Sequence, residues 1–248
     1  MIISGKTDIG RRRKENQDTW RAGRKGNAFA WAVVCDGMGG QRAGRLASCT
    51  AISSVEQQFS HTDLVTAENP GILLQHIVEK ANEEVFHRAV EGGADTFGMG
   101  TTIAAVVLRN RDAFYAHVGD SRVYLFRKNT LVQLTRDHSR VQEMVESGQI
   151  TEQQARFHPE RNRITRALGV HQQVQVDVGS IPVEPGDEFL LCSDGLSGPL
   201  SSQEIAEILA HYPIYQQARS LVEEANQQGG PDNITAVVMQ IAQEEKDG

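Results

Sequence analysis

The stretch Ala28-Phe-Ala-Trp-Ala-Val-Val-Cys-Asp-Gly-Met-Gly-Gly40 joins an apolar run to an acidic residue and a group of glycines. Its first part, Ala28 to Cys35, has the length and the aromatic and β-branched content of a strand that is buried on both faces. The run stops at Asp36, and the glycines after it favour a turn. This pattern predicts a carboxylate at the end of a buried strand.

The same arrangement recurs further along the chain. Asp120 follows the run 116–119, Asp194 follows the run 189–193, and Asp232 lies just before another apolar run. A single Asp-Gly is most often a hairpin turn, but converging strand ends would collect several carboxylates that repel one another unless hard cations neutralise them. Oxygen ligands favour Mg²⁺, Mn²⁺ or Ca²⁺ over zinc, and no EF-hand loop is present.

The periodicity predicts a mixed α and β domain. Strands are predicted at Ala28 to Cys35, Thr101 to Leu108, Ala113 to Val118, Arg122 to Phe126, Glu188 to Cys192 and Ile234 to Ile241. Helices are predicted at roughly Gly44 to Phe59, Ile72 to Val90, Gln203 to Ala210 and Tyr215 to Gln227. Most of the strands are too closely spaced for intervening helices, which favours antiparallel pairing.

Local signals add two helix starts. Ser201 with Glu204, and Thr151 with Gln154, have the spacing of capping boxes. The polar stretch 139–163 is only weakly periodic and predicts a partly helical surface excursion.

Bulk composition excludes several classes of protein. A length of 248 residues suits one large domain, and a net charge of −7 argues against a nucleic-acid partner. No apolar segment has the length of a signal sequence or of a membrane span. The three cysteines, Cys35, Cys49 and Cys192, form no CxxC pair, so a cytoplasmic location without membrane attachment is expected.

The basic run near the N-terminus offers a phosphate ligand. Arg13 lies within Thr7-Asp-Ile-Gly-Arg-Arg-Arg-Lys-Glu-Asn-Gln-Asp18, and a planar guanidinium can bind two phosphate oxygens at once. The alternative is that residues 11–14 form a solvated charge run.

Six motifs, in this order, resemble the bacterial members of the PPM family, the type 2C metal-dependent protein phosphatases. They are Gly10-x-x-Arg13-x-x-Asn16-Gln17-Asp18, Asp36-Gly-Met-Gly-Gly40, Gly100-Thr-Thr102, Gly119-Asp-Ser-Arg122, Ser193-Asp-Gly195 and Gly230-Pro-Asp-Asn233. The resemblance implies an α+β fold of two stacked antiparallel β-sheets flanked by helix pairs. It also implies a phosphatase domain over residues 1–243, a flap-like excursion at 139–163 and a solvated tail at 244–248.

The resemblance implies a site for two Mn²⁺ or Mg²⁺ ions. Asp36 would bridge them with help from the Gly37 carbonyl, and Asp194 and Asp232 would complete the set. Asp120 would hold a third, weaker ion together with Asp194.

Three further residues have implied supporting roles at this site. Arg13 would clamp the substrate phosphate, and Asp18 and Asn233 would support the ligands from behind.

The implied activity is hydrolysis of phosphoserine and phosphothreonine in proteins by a hydroxide held between the two ions. The family resemblance implies that the protein opposes a bacterial serine/threonine kinase, and a monomer is expected by default. This chain departs from many relatives at Met38, where they have a proposed general acid histidine, and at Gln17, where they have glutamate. His138 is therefore a candidate proton donor, and the basic residues of the excursion, Arg156, His158, Arg161 and Arg163, are candidates for receiving phosphopeptides.

The sequence gives less support to other functional classes. A cysteine-dependent phosphatase needs C-x₅-R, which none of the three cysteines has, and a serine hydrolase needs G-x-S-x-G, which the segment 119–123 lacks. A catalytically silent regulatory domain with the same fold stays open as the alternative, although the key aspartates are all present.

Overall fold

Strands and helices follow one another in blocks along the chain. The computed structural model describes residues 1–25, 29–40, 42–61 and 67–241. The strands are β1 (Ile2–Asp8), β2 (Asp18–Lys25), β3 (Phe29–Met38), β4 (Gly100–Thr101), β5 (Ile103–Arg109), β6 (Asp112–Val118), β7 (Arg122–Arg127), β8 (Thr130–Gln133), β9 (Asp177–Pro182), β10 (Glu188–Cys192) and β11 (Ile234–Gln240). The helices are α1 (Ala43–His61), α2 (Pro70–Glu91), α3 (Arg140–Glu146), α4 (Glu152–Ala155), α5 (Asp194–Ser197), α6 (Ser202–His211) and α7 (Ile214–Gln227).

The strands form two antiparallel sheets. One has the order β1-β11-β10-β7-β8, and the other has the order β2-β3-β5-β6-β9 with β4 paired to the end of β3. Every strand pair in both sheets is antiparallel, which confirms the pairing expected from the sequence.

Three apolar clusters divide the molecule into four layers. In β3, Val33 and Cys35 pack with α1 and α2, whereas Ala32 and Val34 point to the other face and join the cluster between the two sheets. A third cluster packs α5, α6 and α7 on the outer face of the other sheet. Because central strands are covered on both faces, their sequences are continuous apolar runs. The predicted helix–sheet–sheet–helix architecture is thus confirmed.

The strands that sequence reasoning missed are β1, β2, β8 and β9, together with the short β4. The first four are the edge strands of the two sheets. Edge strands are half-exposed and carry polar residues, as the alternating burial along Asp177–Pro182 illustrates, so they lack the apolar run that marks a central strand. The run predicted as one strand at Thr101 to Leu108 is interrupted at Thr102. Ala28, the predicted start of the first strand, and the predicted tail at 244–248 lie outside the described residues.

The predicted helices are present with slightly longer bounds. One face of α2 is buried, and its buried residues include Leu74, Ile77, Val78, Ala81, Val85 and Ala89. Both capping boxes form, at Ser201 for α6 and at Thr151 for α4. The excursion at 139–163 contains α3 and α4 and is partly helical, as its weak periodicity indicates. Within the described part of the chain, no helix is long and apolar enough to cross a bilayer.

Candidate active site

A cavity of about 770 Å³ opens where β3 and β10 end and β11 begins. Asp36, Asp120, Asp194 and Asp232 all line it, together with Arg13. Antiparallel pairing inside each sheet and stacking of the two sheets bring these strand ends together. Residues that are far apart in the sequence therefore share one pocket.

Asp36 is held at the end of β3 by the segment between β4 and β5. Its backbone N–H donates to Thr102 Oγ1 at 3.0 Å, and its carbonyl accepts from the Thr102 N–H at 2.9 Å and from Thr101 Oγ1 at 2.9 Å. These bonds explain why the strand is interrupted at Thr102. They fix the backbone of Asp36 and leave its carboxylate for the cavity.

Gly37 comes directly after Asp36, at a position that has no room for a side chain. A Cβ on Gly37 would lie 2.0 Å from the carbonyl oxygen of Gly44, at the start of α1. Its own N–H donates to the Gln17 carbonyl at 3.2 Å. The close approach of backbone to backbone therefore requires glycine beside Asp36.

Asn233 ties the loop between β1 and β2 to the start of β11. Its Oδ1 accepts from the Gln17 N–H at 2.8 Å, and its Nδ2 donates to the carbonyls of Ile9 at 2.9 Å and Glu15 at 3.0 Å. The side chain is buried and its donors and acceptor are used by backbone. It supports the loop that carries Arg13 instead of facing the cavity with a free oxygen.

Asp18 lies behind the carboxylates in a buried position. Its Oδ2 accepts from Ser193 Oγ at 2.6 Å and from Thr235 Oγ1 at 2.7 Å, while Oδ1 has no hydrogen-bond partner among the described residues. Burial, opposed by these two bonds, raises the pKa of Asp18 to about 7. The unpartnered oxygen suggests a group that the polypeptide itself does not supply.

The carboxylates of the cavity disfavour one another's charge. Burial raises the pKa of Asp194 to about 6, and the charge of Asp232 adds to the shift. The pKa values of Asp36 and Asp120 lie well above their ordinary range, chiefly because of burial and then because of neighbouring aspartates, Asp18 for the first and Asp194 for the second. Asp194 Oδ1 is also buried without a hydrogen-bond partner in the described chain.

Such a set fits hard divalent cations. A protein that folds several carboxylates into one cavity gains most when cations keep them ionised, and oxygen-only ligands suit Mg²⁺ and Mn²⁺. The Gly37 carbonyl, at the rim of the same cavity, is an additional oxygen of the right type.

Arg13 is one of three basic residues that line the cavity, with Arg12 and Lys14. Its Nη2 donates to Asp232 Oδ2 at 2.6 Å, and its side chain is half-exposed. A guanidinium at the mouth of a carboxylate-lined pocket can bind an incoming phosphate with the N–H groups that Asp232 leaves free.

The two departures from the family pattern have structural consequences. Met38 lines the cavity and has no proton to donate, and no histidine lines it among the described residues. Gln17 also lines the cavity, and its side-chain Nε2 donates to the Gly40 carbonyl at 2.6 Å. His138 is buried away from the cavity wall, so its predicted role as a proton donor at the site is not supported by its position.

The excursion reaches the cavity with a residue other than those expected. Asn162 lines it, and so does Ile164, the residue directly after the excursion. Arg156 instead lies 3.4 Å from the Gly198 carbonyl, and Arg163 pairs with Glu160 at 2.8 Å. A role for the four basic residues in receiving phosphopeptides stays a prediction.

Thr102 belongs to one of the six sequence motifs, but the sequence did not predict its role. Thr102 holds Asp36, and its Oγ1 is 2.6 Å from Ser121 Oγ, which links β3 to the loop that carries Asp120. The motif Gly100-Thr-Thr102 was the available signal, since two hydroxyls beside glycine often bond to backbone.

Comparison with known proteins identifies the family. The family model of protein phosphatase 2C matches residues 8–235. The chain belongs to the protein phosphatase 2C family. Protein phosphatase PhpP of Streptococcus pneumoniae is 37% identical to it over 251 aligned residues, which cover 99% of each chain.

Solved protein phosphatase 2C relatives share the whole fold. The Mycobacterium tuberculosis serine/threonine phosphatase PstP/Ppp superposes with a TM-score of 0.88 at 36% identity, covering 97% of this chain and 98% of its own. A catalytic domain of the serine/threonine protein phosphatase PstP, solved in complex with two manganese ions, has a TM-score of 0.85 at 34% identity and covers 96% of both chains. The resemblance deduced from the motifs is confirmed.

Proposed function

We propose that this protein phosphatase 2C member hydrolyses phosphoserine and phosphothreonine in proteins and requires two Mn²⁺ or Mg²⁺ ions. The observation that carries the proposal is the convergence of Asp36, Asp194 and Asp232 on one cavity that also holds Arg13. Kinship with phosphatases whose names specify serine and threonine supports the substrate class.

The ligand assignments come from the family resemblance and are supported by the shared cavity. Asp36 and the Gly37 carbonyl, with Asp194 and Asp232, would hold the two ions, and Asp120 with Asp194 would hold a third, weaker one. When bound, the ions would lower the pKa of a water molecule that they share and would neutralise charge on the phosphoryl group.

The chain's own residues supply the remaining steps. Arg13 would orient the phosphate and stabilise the charge on its equatorial oxygens. Asp18, fixed by Ser193 and Thr235, keeps one carboxylate oxygen without a partner among the described residues, and this oxygen would accept a hydrogen bond from a water molecule. With Met38 on the cavity wall, the leaving serine or threonine oxygen would take its proton from water or from a carboxyl group.

Two of the three cysteines, Cys35 and Cys192, do not fit a nucleophilic role. Burial raises the pKa of Cys192 to about 12 and holds that of Cys35 well above its ordinary value. A thiol with a raised pKa is a poor nucleophile near neutral pH. All the cysteines are free, which supports a reducing cytoplasm as the working compartment. The opposing bacterial kinase rests on the family alone, and the monomeric state is a default expectation.

The test is turnover of matched phosphopeptides. We expect hydrolysis of phosphoserine and phosphothreonine peptides with Mn²⁺, no hydrolysis after EDTA, and no effect of thiol alkylation. Asp194→Asn should lower kcat/KM by about 100-fold or more, since it removes a ligand from the metal site.

The exposed Asp95→Asn is the matched control and should behave like the wild type. Binding of Mn²⁺ without turnover of any phosphopeptide would favour the alternative, a silent domain. Turnover that survives complete removal of divalent ions would refute the proposal.

A further inference from the structure

A cluster of titratable side chains lies behind the cavity and has no part in the ligand set. His117, His138 and Asp177 each place one ring nitrogen or carboxylate oxygen within 4.8 Å of the others. Both histidines are buried, and Arg166 holds Asp177 Oδ1 at 2.6 Å. Asp177 Oδ2 lies 3.3 Å from His138 Nε2, at an ion-pair distance, although Nε2 makes no hydrogen bond within the described part of the chain.

The ligand types suggest a metal site, but the geometry does not. The rings of His117 and His138 are stacked, with centroids 4.5 Å apart and planes at 21°. Ring-nitrogen lone pairs lie in the ring plane, so two nearly parallel stacked rings cannot both point at one ion 2.0–2.1 Å away, the usual Zn–N distance. The guanidinium of Arg166 on Asp177 would also repel a cation.

His138 is committed to the backbone beside Asp120. Its Nδ1 accepts a hydrogen bond from the Gly119 N–H at 3.0 Å, and its own backbone N–H donates to the Gly119 carbonyl at 2.9 Å. A nitrogen that accepts a hydrogen bond carries no proton, so the proton of the neutral ring is on Nε2, which faces Asp177. This tautomer again leaves Nε2 without a lone pair for a metal.

Gly119 has a backbone conformation that glycine adopts readily and other residues do not. Its φ is +109°, and a Cβ there would lie 2.6 Å from Thr102 Cγ2. The loop thus packs against Thr102, the residue that also holds Asp36. A shift of Gly119 would move the carboxylate that follows it.

The segment before α3 holds the same loop a second time. Asp137 accepts bonds from Arg122 Nε at 2.9 Å and from Arg122 Nη2 at 2.7 Å, a bidentate pair. Asp137 and His138 together therefore fix both sides of Asp120. The bidentate pair sets the position of β7, and the imidazole sets the peptide directly before the carboxylate.

We propose that His138 is the positioning residue for Asp120: its Nδ1 accepts a hydrogen bond from the Gly119 N–H, and the negative charge of Asp177 near Nε2 favours the ring proton on that nitrogen. The role of Asp120 as a ligand of the weaker ion rests on the proposed function above. His138 itself touches neither substrate nor ion.

The neutral state that this role requires is favoured by the surroundings. Burial, followed by the charges of His117 and Arg166, lowers the pKa of His138 to about 4, in spite of the opposing effect of Asp177. The ring is then neutral at physiological pH, and Nδ1 can accept.

Nuclear magnetic resonance on the metal-free protein tests the hydrogen bond itself. We expect the Nε2–H tautomer of His138 in two-bond ¹H–¹⁵N spectra and a scalar coupling across the bond between the Gly119 amide nitrogen and Nδ1. A proton on Nδ1 would overturn the proposal, whatever the protein does with metals.

Two variants separate positioning from packing. His138→Asn keeps an acceptor near the position of Nδ1 but loses the stacked ring, and His138→Phe keeps the ring but has no acceptor. In a Mn²⁺ titration followed by calorimetry, His138→Phe should weaken the weakest site by about 10-fold or more, the usual cost of losing a group that orients a ligand. His138→Asn should stay within about threefold of the wild type, because an acceptor for the Gly119 N–H remains.

A double-mutant cycle with Asp120→Asn closes the test. In that background His138→Phe should add nothing, because the residue it positions is no longer a charged ligand. The proposal would be refuted if His138→Asn weakened Mn²⁺ binding more than His138→Phe does. It would also be refuted if the effects of His138→Phe and Asp120→Asn on Mn²⁺ affinity were additive, because either result would show that His138 acts through packing. A wild-type protein that binds no Mn²⁺ would instead refute the proposed function, and the tautomer measurement would still decide the role of His138.

Discussion

Arg13 is the residue of the candidate site that is placed to meet a phosphate. Here it pairs with Asp232 at 2.6 Å, half-exposed at the cavity mouth. An exposed pair of this kind contributes little to stability, so its value lies in what the guanidinium can bind. The planar fork can hold two phosphate oxygens, which a lysine cannot do.

We therefore predict that Arg13→Ala lowers kcat/KM for phosphopeptides by about 10- to 100-fold, equivalent to about 1.5–3 kcal/mol for a charged hydrogen bond. Arg13→Lys should lie in between, because it keeps the charge and loses the fork. Steady-state kinetics would measure both. The exposed Arg24→Ala on β2 is the control, and equal activity of Arg13→Ala and this control would contradict the assignment.

At the scale of elements, the loop between β1 and β2 is fitted against the loop before β11. Gly10 has a φ of +79°, and a Cβ there would lie 2.0 Å from the Asp232 carbonyl oxygen. The Arg11 N–H donates to the Gly230 carbonyl at 2.8 Å across the same contact. The glycine thus allows the segment that carries Arg13 to approach the segment that carries Asp232.

Gly10→Ala should separate these two loops. We expect a loss of stability of more than about 1–2 kcal/mol, which is the cost of a left-handed backbone alone for a residue with a Cβ. Mn²⁺ affinity should fall with it, because the backbone of Asp232 must move. Gly148→Ala is the matched control: its φ is +72°, and no atom lies within 4 Å of an added Cβ.

Chemical denaturation and Mn²⁺ titration of the two variants would measure these effects. Gly148→Ala should show the backbone cost without the loss of metal affinity. Equal Mn²⁺ affinity in both variants would mean that the Gly10 contact does not position Asp232.

At the scale of the whole molecule, ionisation of the buried aspartates at the cavity is unfavourable in the absence of metal. The pKa values of Asp194, about 6, and Asp18, about 7, are above the ordinary value for aspartate near 4. The folded metal-free protein therefore binds more protons than the unfolded chain between about pH 4 and 7. The stability that these groups contribute is complete below about pH 4 and is lost as the pH rises through 6 and 7.

We predict that the melting temperature of the EDTA-treated protein falls between pH 5.5 and pH 8, and that saturating Mn²⁺ raises it and flattens the slope. A fall of several degrees is expected, since about 1 kcal/mol corresponds to about 2–4 °C in a domain of this size. Differential scanning calorimetry would measure it. Asp194→Asn should flatten the slope without metal, and a metal-free protein that grows more stable over this range would contradict the prediction.

The sequence also shows which strands can be found without a structure. Central strands such as β10, Glu188–Cys192, are covered on both faces, and their continuous apolar runs allow them to be predicted. The edge strands that were not predicted are half-exposed, so they have no continuous apolar run. Two of them, β1 and β2, also flank the basic loop. Their pairing is decided by backbone hydrogen bonds to a neighbour, for which the local sequence carries little signal.

The chain by itself determined the family, the central strands and helices, and the aspartates at the strand ends, because each of these depends on short-range pattern and on residue type. Only the tertiary structure decided that Thr102 holds Asp36, that Asn233 ties the Arg13 loop to β11, and that His138 serves Gly119 instead of the substrate. Hydrogen bonds between residues dozens or hundreds of positions apart depend on how the two sheets stack. No local sequence pattern encodes these long-range hydrogen bonds, because the partners meet only after the layers have packed.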